Sequence, residues 1–297
     1  MVMNDKKITN KIVELLYIAP LIIGMFIFKI KPCVQIIITS LKEEYNHSTK
    51  TYSAFGFDNY AEVLTDINFF RAIVHTSIYV LVVVSATVII STLLAWCLYR
   101  IEKISNVLQF FIFLPLISSD IAIGISWRYM FSDRGIINSI LGSISDLKIG
   151  WLTDKNMSLV IFILYGIWFS LPMATLLLLS SLKRINSSLL IAARLDKASE
   201  FKIFIKIGVP YIKPTIFTVA ILNCISSWLA FNGLFSLFNG SPGPYYNLYT
   251  IVFYIYEKID AGNRVVGQAC AASVLLLLIV SVPLIMRNFV KKENEKK

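Results

Sequence analysis

The chain has 297 residues, of which 57% are hydrophobic and 15% are charged, with a formal net charge of +10 at pH 7. Soluble domains carry about 25% charged residues, whereas a bilayer crossing needs about 20 successive apolar residues. Several runs of that kind are present, so the composition excludes an ordinary soluble enzyme and indicates an integral membrane protein. The cations lie in short loops and form no groove with interleaved aromatic residues, which argues against nucleic-acid binding.

Taken in chain order, the apolar runs predict an all-α, polytopic membrane protein with six transmembrane helices. The spans are expected at residues 13–41, 72–98, 107–131, 157–182, 215–238 and 266–287. Pro115 is expected to break the third span. The organisation expected from these spans is a tail (1–12), a first helix with its outer loop (13–71), a transmembrane core (72–287) and a second tail (288–297).

The distribution of Lys and Arg predicts the orientation. Both tails, the loop after the second span and the loop 183–213 are rich in cations, whereas the remaining loops hold most of the acidic residues. Because Lys and Arg accumulate on the cytoplasmic side, we expect both termini and the loop 183–213 to be cytoplasmic in a protein of the cell membrane. The first run lacks a small-residue cleavage site and is interpreted as a retained span.

The loop 183–213 is a polar island between two apolar runs. Its apolar residues recur at helical spacing among seven cations, which predicts short amphipathic helices beside the membrane. Its spacing also resembles the EAA loop of ATP-binding-cassette (ABC) importer permeases, in which Glu-Ala-Ala is followed by Asp-Gly-Ala and then by Phe, Ile and Pro. The matching positions are Ala192, Ala193, Asp196, Ala198, Phe204, Ile207, Pro210 and Pro214.

This resemblance implies that the loop docks into a cytoplasmic ATPase and carries its movement into the membrane. The residues expected to serve this docking are Ala192, Ala193, Asp196, Lys197, Ala198, Phe204 and Pro210. Two positions depart from the pattern, because Ile191 replaces the Glu and Lys197 replaces the Gly. A Gly there would permit a positive φ, so Lys197 must adopt that conformation with strain or avoid it.

Further short segments extend the resemblance over most of the chain, and their order is similar to that of the maltose-type carbohydrate branch. They include Gly56–Tyr60 and Asn239–Pro242. The resemblance implies a second homologous permease, a pair of cytoplasmic ABC ATPases, an extracytoplasmic solute-binding protein and a sugar substrate as partners, besides the lipid bilayer and without nucleic acid.

The sequence contains no nucleotide-binding Gly-x-x-x-x-Gly-Lys-Ser/Thr motif, so ATP and Mg²⁺ are expected on the partner ATPase. The two histidines and four cysteines show neither a nucleophile arrangement nor metal-ligand spacing. We therefore expect neither catalysis nor a metal or cofactor in this chain.

One carboxylate, Asp120, lies well inside a predicted span. Intramembrane acids are costly and usually face a cavity or a partner, so Asp120 is expected either to line the transport path or to pair with a cation such as Arg128. A sugar site combines aromatic rings with hydroxyl and amide groups. The other candidates for the path are Trp168, Phe169, Ser170, Trp228, Phe231 and Asn232, with ordinary packing or lipid contact as the alternative for each.

The sequence thus predicts the membrane-spanning permease subunit of an ABC importer that moves a sugar or oligosaccharide into the cytoplasm by alternating access. A polyol or a glycerophosphate-type solute is the alternative substrate. Two other functions remain open at this point. An ion-coupled secondary transporter would need further intramembrane acids, and a membrane scaffold would leave the spaced loop motif without a role.

Overall fold

The computed structural model describes residues 17–101, 105–145, 148–261 and 265–294. Its described residues are helical apart from loops and one isolated β-bridge between Lys42 and Phe55. The first predicted tail (1–12), the first four residues of the first predicted span and the last three residues of the second tail lie outside them. The helices are α1 (Tyr17–Ser40), α2 (Asp58–Thr65), α3 (Ile67–Arg100), α4 (Ser105–Phe113), α5 (Asp120–Met130), α6 (Ile136–Ser145), α7 (Lys155–Leu182), α8 (Ser187–Leu195), α9 (Glu200–Trp228), α10 (Asn232–Leu237), α11 (Ile251–Asp260) and α12 (Val266–Asn294).

The predicted all-α membrane fold is confirmed. Five helices, namely α1, α3, α7, α9 and α12, are long and apolar enough to cross a bilayer, and a sixth crossing is counted when α4 and α5 are taken as one broken span. The axis turns by 102° between these two helices. Pro115 lies in a 3₁₀ turn just before the bend, as the sequence predicted, and Ser119 is extended before α5 begins.

The fifth predicted span is wrong at both ends. The helix begins at Glu200, inside the segment predicted as loop, and ends at Trp228, ten residues before the predicted end. A π-helical turn at Phe204–Gly208 carries the helix into Val209–Trp228, and Pro210, which has no N–H to donate, follows directly after this irregular turn. The second half of the predicted amphipathic loop is therefore the first turns of a membrane helix.

The chain forms two compact units. Of the described residues, those up to Asp66 and those within Ile255–Leu277 form the smaller unit, and those within Ile67–Tyr254 and from Leu278 onward form the larger. In the smaller unit, Lys258 forms an ion pair with Asp66 at 3.0 Å, and Asn59 donates hydrogen bonds to the carbonyl oxygens of Ser40 and Lys42.

In the larger unit, α3, α7 and α9 pack against one another, and α10 packs against α5. Asp154 starts α7 because its side chain accepts hydrogen bonds from the backbone N–H groups of Asn156 and Met157, each at 2.9 Å. A buried apolar cluster joins α3, α7, α8 and α9. Its members are Ala95, Leu98, Ala174, Leu178, Leu179, Leu182, Ile185, Leu190, Ile203, Ile212 and Val219.

Candidate functional site

A cavity of about 130 Å³ lies in the larger unit beside the breaks that precede α5 and α10. Broken helices within a membrane are tolerated where the freed backbone groups face protein or a water-filled space. The lining residues are Tyr79, Asp120, Phe162, Tyr165, Gly166, Phe169, Ser170, Ser226, Ser227, Leu229, Ala230, Phe231, Asn232, Gly233 and Leu234.

The cavity brings together five of the seven residues that the sequence singled out for a transport path. These are Asp120, Phe169, Ser170, Phe231 and Asn232. Trp168 and Trp228 are not among the lining residues. The Trp168 ring packs instead against the Trp127 ring, with their centroids 5.6 Å apart, and Trp228 is the last residue of α9.

Asp120 is held by a tyrosine of a neighbouring helix. The Tyr165 hydroxyl donates to the Asp120 carboxylate oxygen Oδ1 and lies 3.1 Å from the Asp120 carbonyl oxygen. Hydrogen bonds to a charged acceptor are stronger than those between neutral groups. The pair therefore fixes the start of α5 against the middle of α7.

The alternative pairing of Asp120 with Arg128 is wrong. Arg128 donates to Asn239 Oδ1 at 2.6 Å, beyond the C-terminal end of α10. Eight residues along an α-helix correspond to about 12 Å, so Asp120 and Arg128 lie near opposite ends of α5. In the cavity, Asp120 consequently has Tyr165, and not Arg128, as its hydrogen-bond partner.

Sequence reasoning missed Tyr79 and Tyr165, although both line the cavity. Tyr79 stacks on Phe162 with centroids 4.2 Å apart, and Tyr165 stacks on Phe169 at 6.0 Å. The spacing of Phe162, Tyr165 and Phe169 on α7 places them on one helix face, which was the available signal. Tyrosine in an apolar run is equally typical of core packing, so the sequence alone gave no reason to prefer the cavity.

Small residues allow α10 to approach α5 and α7 closely. A Cβ atom added at Gly233 would lie 2.8 Å from Tyr165 Cζ, and one added at Gly124 would lie 3.0 Å from Ser236 Cβ. Glycine-mediated close approach is the usual way in which membrane helices pack tightly. Gly233 thereby leaves room for the Tyr165 ring in the position from which its hydroxyl donates to Asp120.

The loop 183–213, which the sequence predicts to dock onto an ATPase, contains the helix α8. The Asn186 side chain caps its first turn by accepting from the Ser188 N–H at 3.1 Å. Leu190 is buried in the apolar cluster, and Ala193 and Ala198 pack against that cluster. Of the three alanines in the motif, Ala192 is exposed. Two of the small residues thus serve packing within this chain.

The remaining docking candidates also include both exposed and buried residues. Asp196, Lys197 and Pro210 are exposed, whereas Phe204 is buried beside Trp96, with ring centroids 5.2 Å apart. The outward face of α8 also carries exposed Ile191 and Leu195, and Phe201 is exposed just beyond it. Sequence reasoning named Ile191 as a departure from the motif and missed its place on an apolar face.

A cluster of charges connects this loop to α3. Glu200 accepts from Arg100 at 2.6 Å, and Arg194 Nε lies 3.7 Å from the same carboxylate oxygen. These side chains are partly solvated, so their contribution to stability is small, about 0–1 kcal/mol. Their geometric effect is to join the end of α8, the start of α9 and the end of α3.

Lys197 adopts a φ of +53°, which is the strained conformation that the sequence predicted as one of two outcomes. We expect Lys197→Gly to stabilise the protein by about 0.5–1 kcal/mol, since glycine reaches this region without a Cβ clash. The matched control is Lys202→Gly, which lies in helical backbone and should destabilise by up to about 1 kcal/mol. Thermal unfolding of the purified protein measures both, and equal shifts in the same direction would contradict the account.

Long apolar helices, broken helices beside a polar cavity and a capped helix on a cationic loop together define a multi-pass membrane transport protein. Residues 87–294 match the family described as binding-protein-dependent transport system inner membrane component. This match covers more than two thirds of the chain, so the protein belongs to that family. It is a transport subunit and not an enzyme, and the resemblance to ABC importer permeases is confirmed.

Three relatives match this chain over most of their length. The lactose transport system permease protein LacF of Rhizobium radiobacter is 26% identical over 283 residues, covering 94% of each chain. The arabinooligosaccharides transport system permease protein AraP of Bacillus subtilis (strain 168) is 27% identical over 287 residues, covering 95% of this chain and 90% of the relative. The probable ABC transporter permease y4oQ of Sinorhizobium fredii is 30% identical, covering 79% and 76%.

A solved structure shares the fold. It is the crystal structure of a bacterial ABC transporter involved in the import of the acidic polysaccharide alginate, one chain of which superposes with a TM-score of 0.85. The alignment covers 97% of this chain and 98% of that chain at 22% identity. Such a likeness supports the helical architecture described above.

Proposed function

We propose that this chain is one permease subunit of an ATP-driven importer that moves a sugar or oligosaccharide into the cytoplasm. The observation that carries the proposal is the cavity, where the rings of Phe162, Phe169 and Phe231 lie among hydroxyl and amide groups. Aromatic faces pack on the apolar CH faces of a sugar, and the polar groups accept and donate to its hydroxyls. Relatives that transport lactose and arabinooligosaccharides support the same substrate class.

The site residues follow from this geometry. Asp120, Phe169, Ser170, Phe231 and Asn232 are proposed to contact the substrate on its path, together with the two lining tyrosines. Ligand sites in proteins usually measure about 300–1,000 Å³, whereas this cavity measures about 130 Å³. A second, homologous permease is therefore proposed to contribute the other wall of a shared site. Trp168 and Trp228 are assigned to packing around the path.

A pair of cytoplasmic ABC ATPases is the proposed source of energy, with ATP and Mg²⁺ bound there and no cofactor in this chain. An extracytoplasmic solute-binding protein is proposed to deliver the sugar. A related transporter structure was solved in complex with a pentasaccharide-bound periplasmic protein, which supports that arrangement. The proposal places the protein in the cell membrane with both termini in the cytoplasm, on the basis of its Lys and Arg distribution.

The packing suggests how ATPase movement reaches the cavity. Leu190 of α8 shares one buried cluster with Leu98 of α3 and Leu182 of α7. A displacement of α8 therefore pushes on both long helices, because closely packed interiors transmit strain. Along α7, the distance from Leu182 back to Tyr165 at the cavity is about 25 Å. ATP would drive alternating access only through its different affinity for the two states.

Two measurements test this proposal together. A strain lacking the chain should take up radiolabelled lactose or arabinotriose at least about tenfold more slowly than the parent strain. A tagged chain purified in mild detergent should retain a second permease and an ATPase. Undiminished uptake combined with purification of the chain alone would contradict the proposal.

A further inference from the structure

We propose that the cavity selects uncharged or basic sugar units and rejects acidic ones, with Asp120 as the discriminating residue. This inference rests on the proposed function and adds the charge class of the substrate. It concerns the part of the path that this chain itself supplies.

The first observation is the sign of the charge in the cavity. Among the lining residues that the structure describes, Asp120 is the single acidic residue, and none is Lys or Arg. Arg128, on the same helix, is directed to Asn239 and away from the cavity. The local formal charge at the lining is therefore negative.

The second observation is the hydrogen bonding of Asp120. Its Oδ1 atom accepts from the Tyr165 hydroxyl, whereas Oδ2 has no hydrogen-bond partner among the described residues. A carboxylate has about four acceptor sites and no donor. Oδ2 can accept from a sugar hydroxyl or from the ammonium group of an amino sugar, but it repels a uronate carboxylate.

The third observation is the position of this charge. Asp120 is partly buried at a helix break, among the aromatic rings of α7 and next to Tyr79, which is itself buried. Electrostatic interactions are stronger in such surroundings than in water, because the effective dielectric constant is lower. Like charges placed together in a recognition site repel each other, which suppresses the binding of the wrong partner.

The remaining polar groups agree with a neutral ligand. Ser170, Ser226, Ser227 and Asn232 offer hydroxyl and amide groups, which pair with sugar hydroxyls. The alginate importer carries an acidic polysaccharide on the same fold. Its likeness at 22% identity concerns architecture, so the two proteins can differ in the charge that they accept.

The test uses the complete transporter, purified through a tag on this chain and placed in lipid nanodiscs without the solute-binding protein. Equilibrium binding is measured for maltotriose, trigalacturonate and the trisaccharide of glucosamine, with wild type and Asp120→Asn. Asparagine keeps the shape and can still accept from Tyr165. The matched control is Asp133→Asn, which removes an exposed carboxylate of the loop between α5 and α6.

In the wild type and in Asp133→Asn, trigalacturonate should bind at least about tenfold more weakly than maltotriose, which corresponds to about 1.4 kcal/mol. Asp120→Asn should bring trigalacturonate to within about threefold of maltotriose measured on the same variant, and it should weaken the glucosamine trisaccharide relative to maltotriose. If the Asp120→Asn complex does not assemble, Asp120→Ser is used for the same comparison.

Two results would overturn the inference. Trigalacturonate binding to the wild type as tightly as maltotriose would show that the site does not exclude acids, while sugar transport itself would stand. Unchanged discrimination in both Asp120 variants would place selectivity elsewhere. If none of the three sugars binds the wild-type complex, the proposed sugar transport fails, and the inference fails with it.

Discussion

Replacing Ile191 and Leu195 together by aspartate is expected to abolish uptake and ATPase binding while the protein remains in the membrane at normal abundance. The two side chains are 53% and 79% exposed, and they lie one turn apart on the outward face of α8. Exposed residues can be changed without a cavity in this chain, so folding should persist. If the ATPase covers this face, two buried unpaired carboxylates should weaken docking by at least about tenfold.

The matched control is Ile140→Asp with Ile144→Asp on α6. These residues have the same spacing in a helix of similar length, and they are 54% and 79% exposed. The control should retain the ATPase when the tagged chain is purified. Retention of the ATPase by the α8 variant, or equal loss in both variants, would contradict the assignment of α8 as the docking helix.

The second large effect is expected for Gly233→Ala, which adds a single methyl group. Its Cβ would lie 2.8 Å from Tyr165 Cζ and 2.9 Å from Tyr165 Oη, closer than atoms can approach. Either α10 moves away from α7, or the Tyr165 ring turns and loses its bond to Asp120. We expect a loss of about 1–3 kcal/mol in stability and at least about a tenfold fall in uptake.

Gly142→Ala is the control for this substitution. Gly142 lies in α6, where an added Cβ meets nothing within 4 Å. Alanine there should leave uptake unchanged and stabilise the helix by up to about 1 kcal/mol. Thermal unfolding midpoints and uptake rates compare the two variants. If Gly233→Ala and Gly142→Ala have equal unfolding midpoints and uptake rates, the close packing of α10 against Tyr165 is not needed for stability or transport.

The positions of the long helices could be predicted from the sequence because the apolar runs are long and their ends are polar. The fourth run, expected at 157–182, is helix Lys155–Leu182, which starts where Asp154 provides a cap. The end of α9 could not be predicted in this way. Leu229, Ala230 and Phe231 continue the apolar run, so hydropathy does not reveal that the helix stops at Trp228.

Some residues of the cavity could be predicted because they interrupt an apolar run. Asp120 stood out because a carboxylate in an apolar run is costly, and Pro115 marked a break on the same run. The hydrogen-bond partner of Asp120, Tyr165, lies 45 positions further along the chain. That contact depends on how α5 and α7 pack, and a single sequence carries no signal for it. The same holds for Ala193 and Ala198, whose buried side became apparent only from the packing of α8.

The central claim is that this chain supplies the membrane path of an importer powered by ATP. The most direct measurement is sugar accumulation in proteoliposomes that contain the purified transporter and its solute-binding protein. With ATP on the side of the ATPases, labelled sugar should accumulate against its gradient, and ionophores that collapse ion gradients should have no effect. Accumulation without ATP, driven by an imposed ion gradient and abolished by the ionophores, would contradict the account.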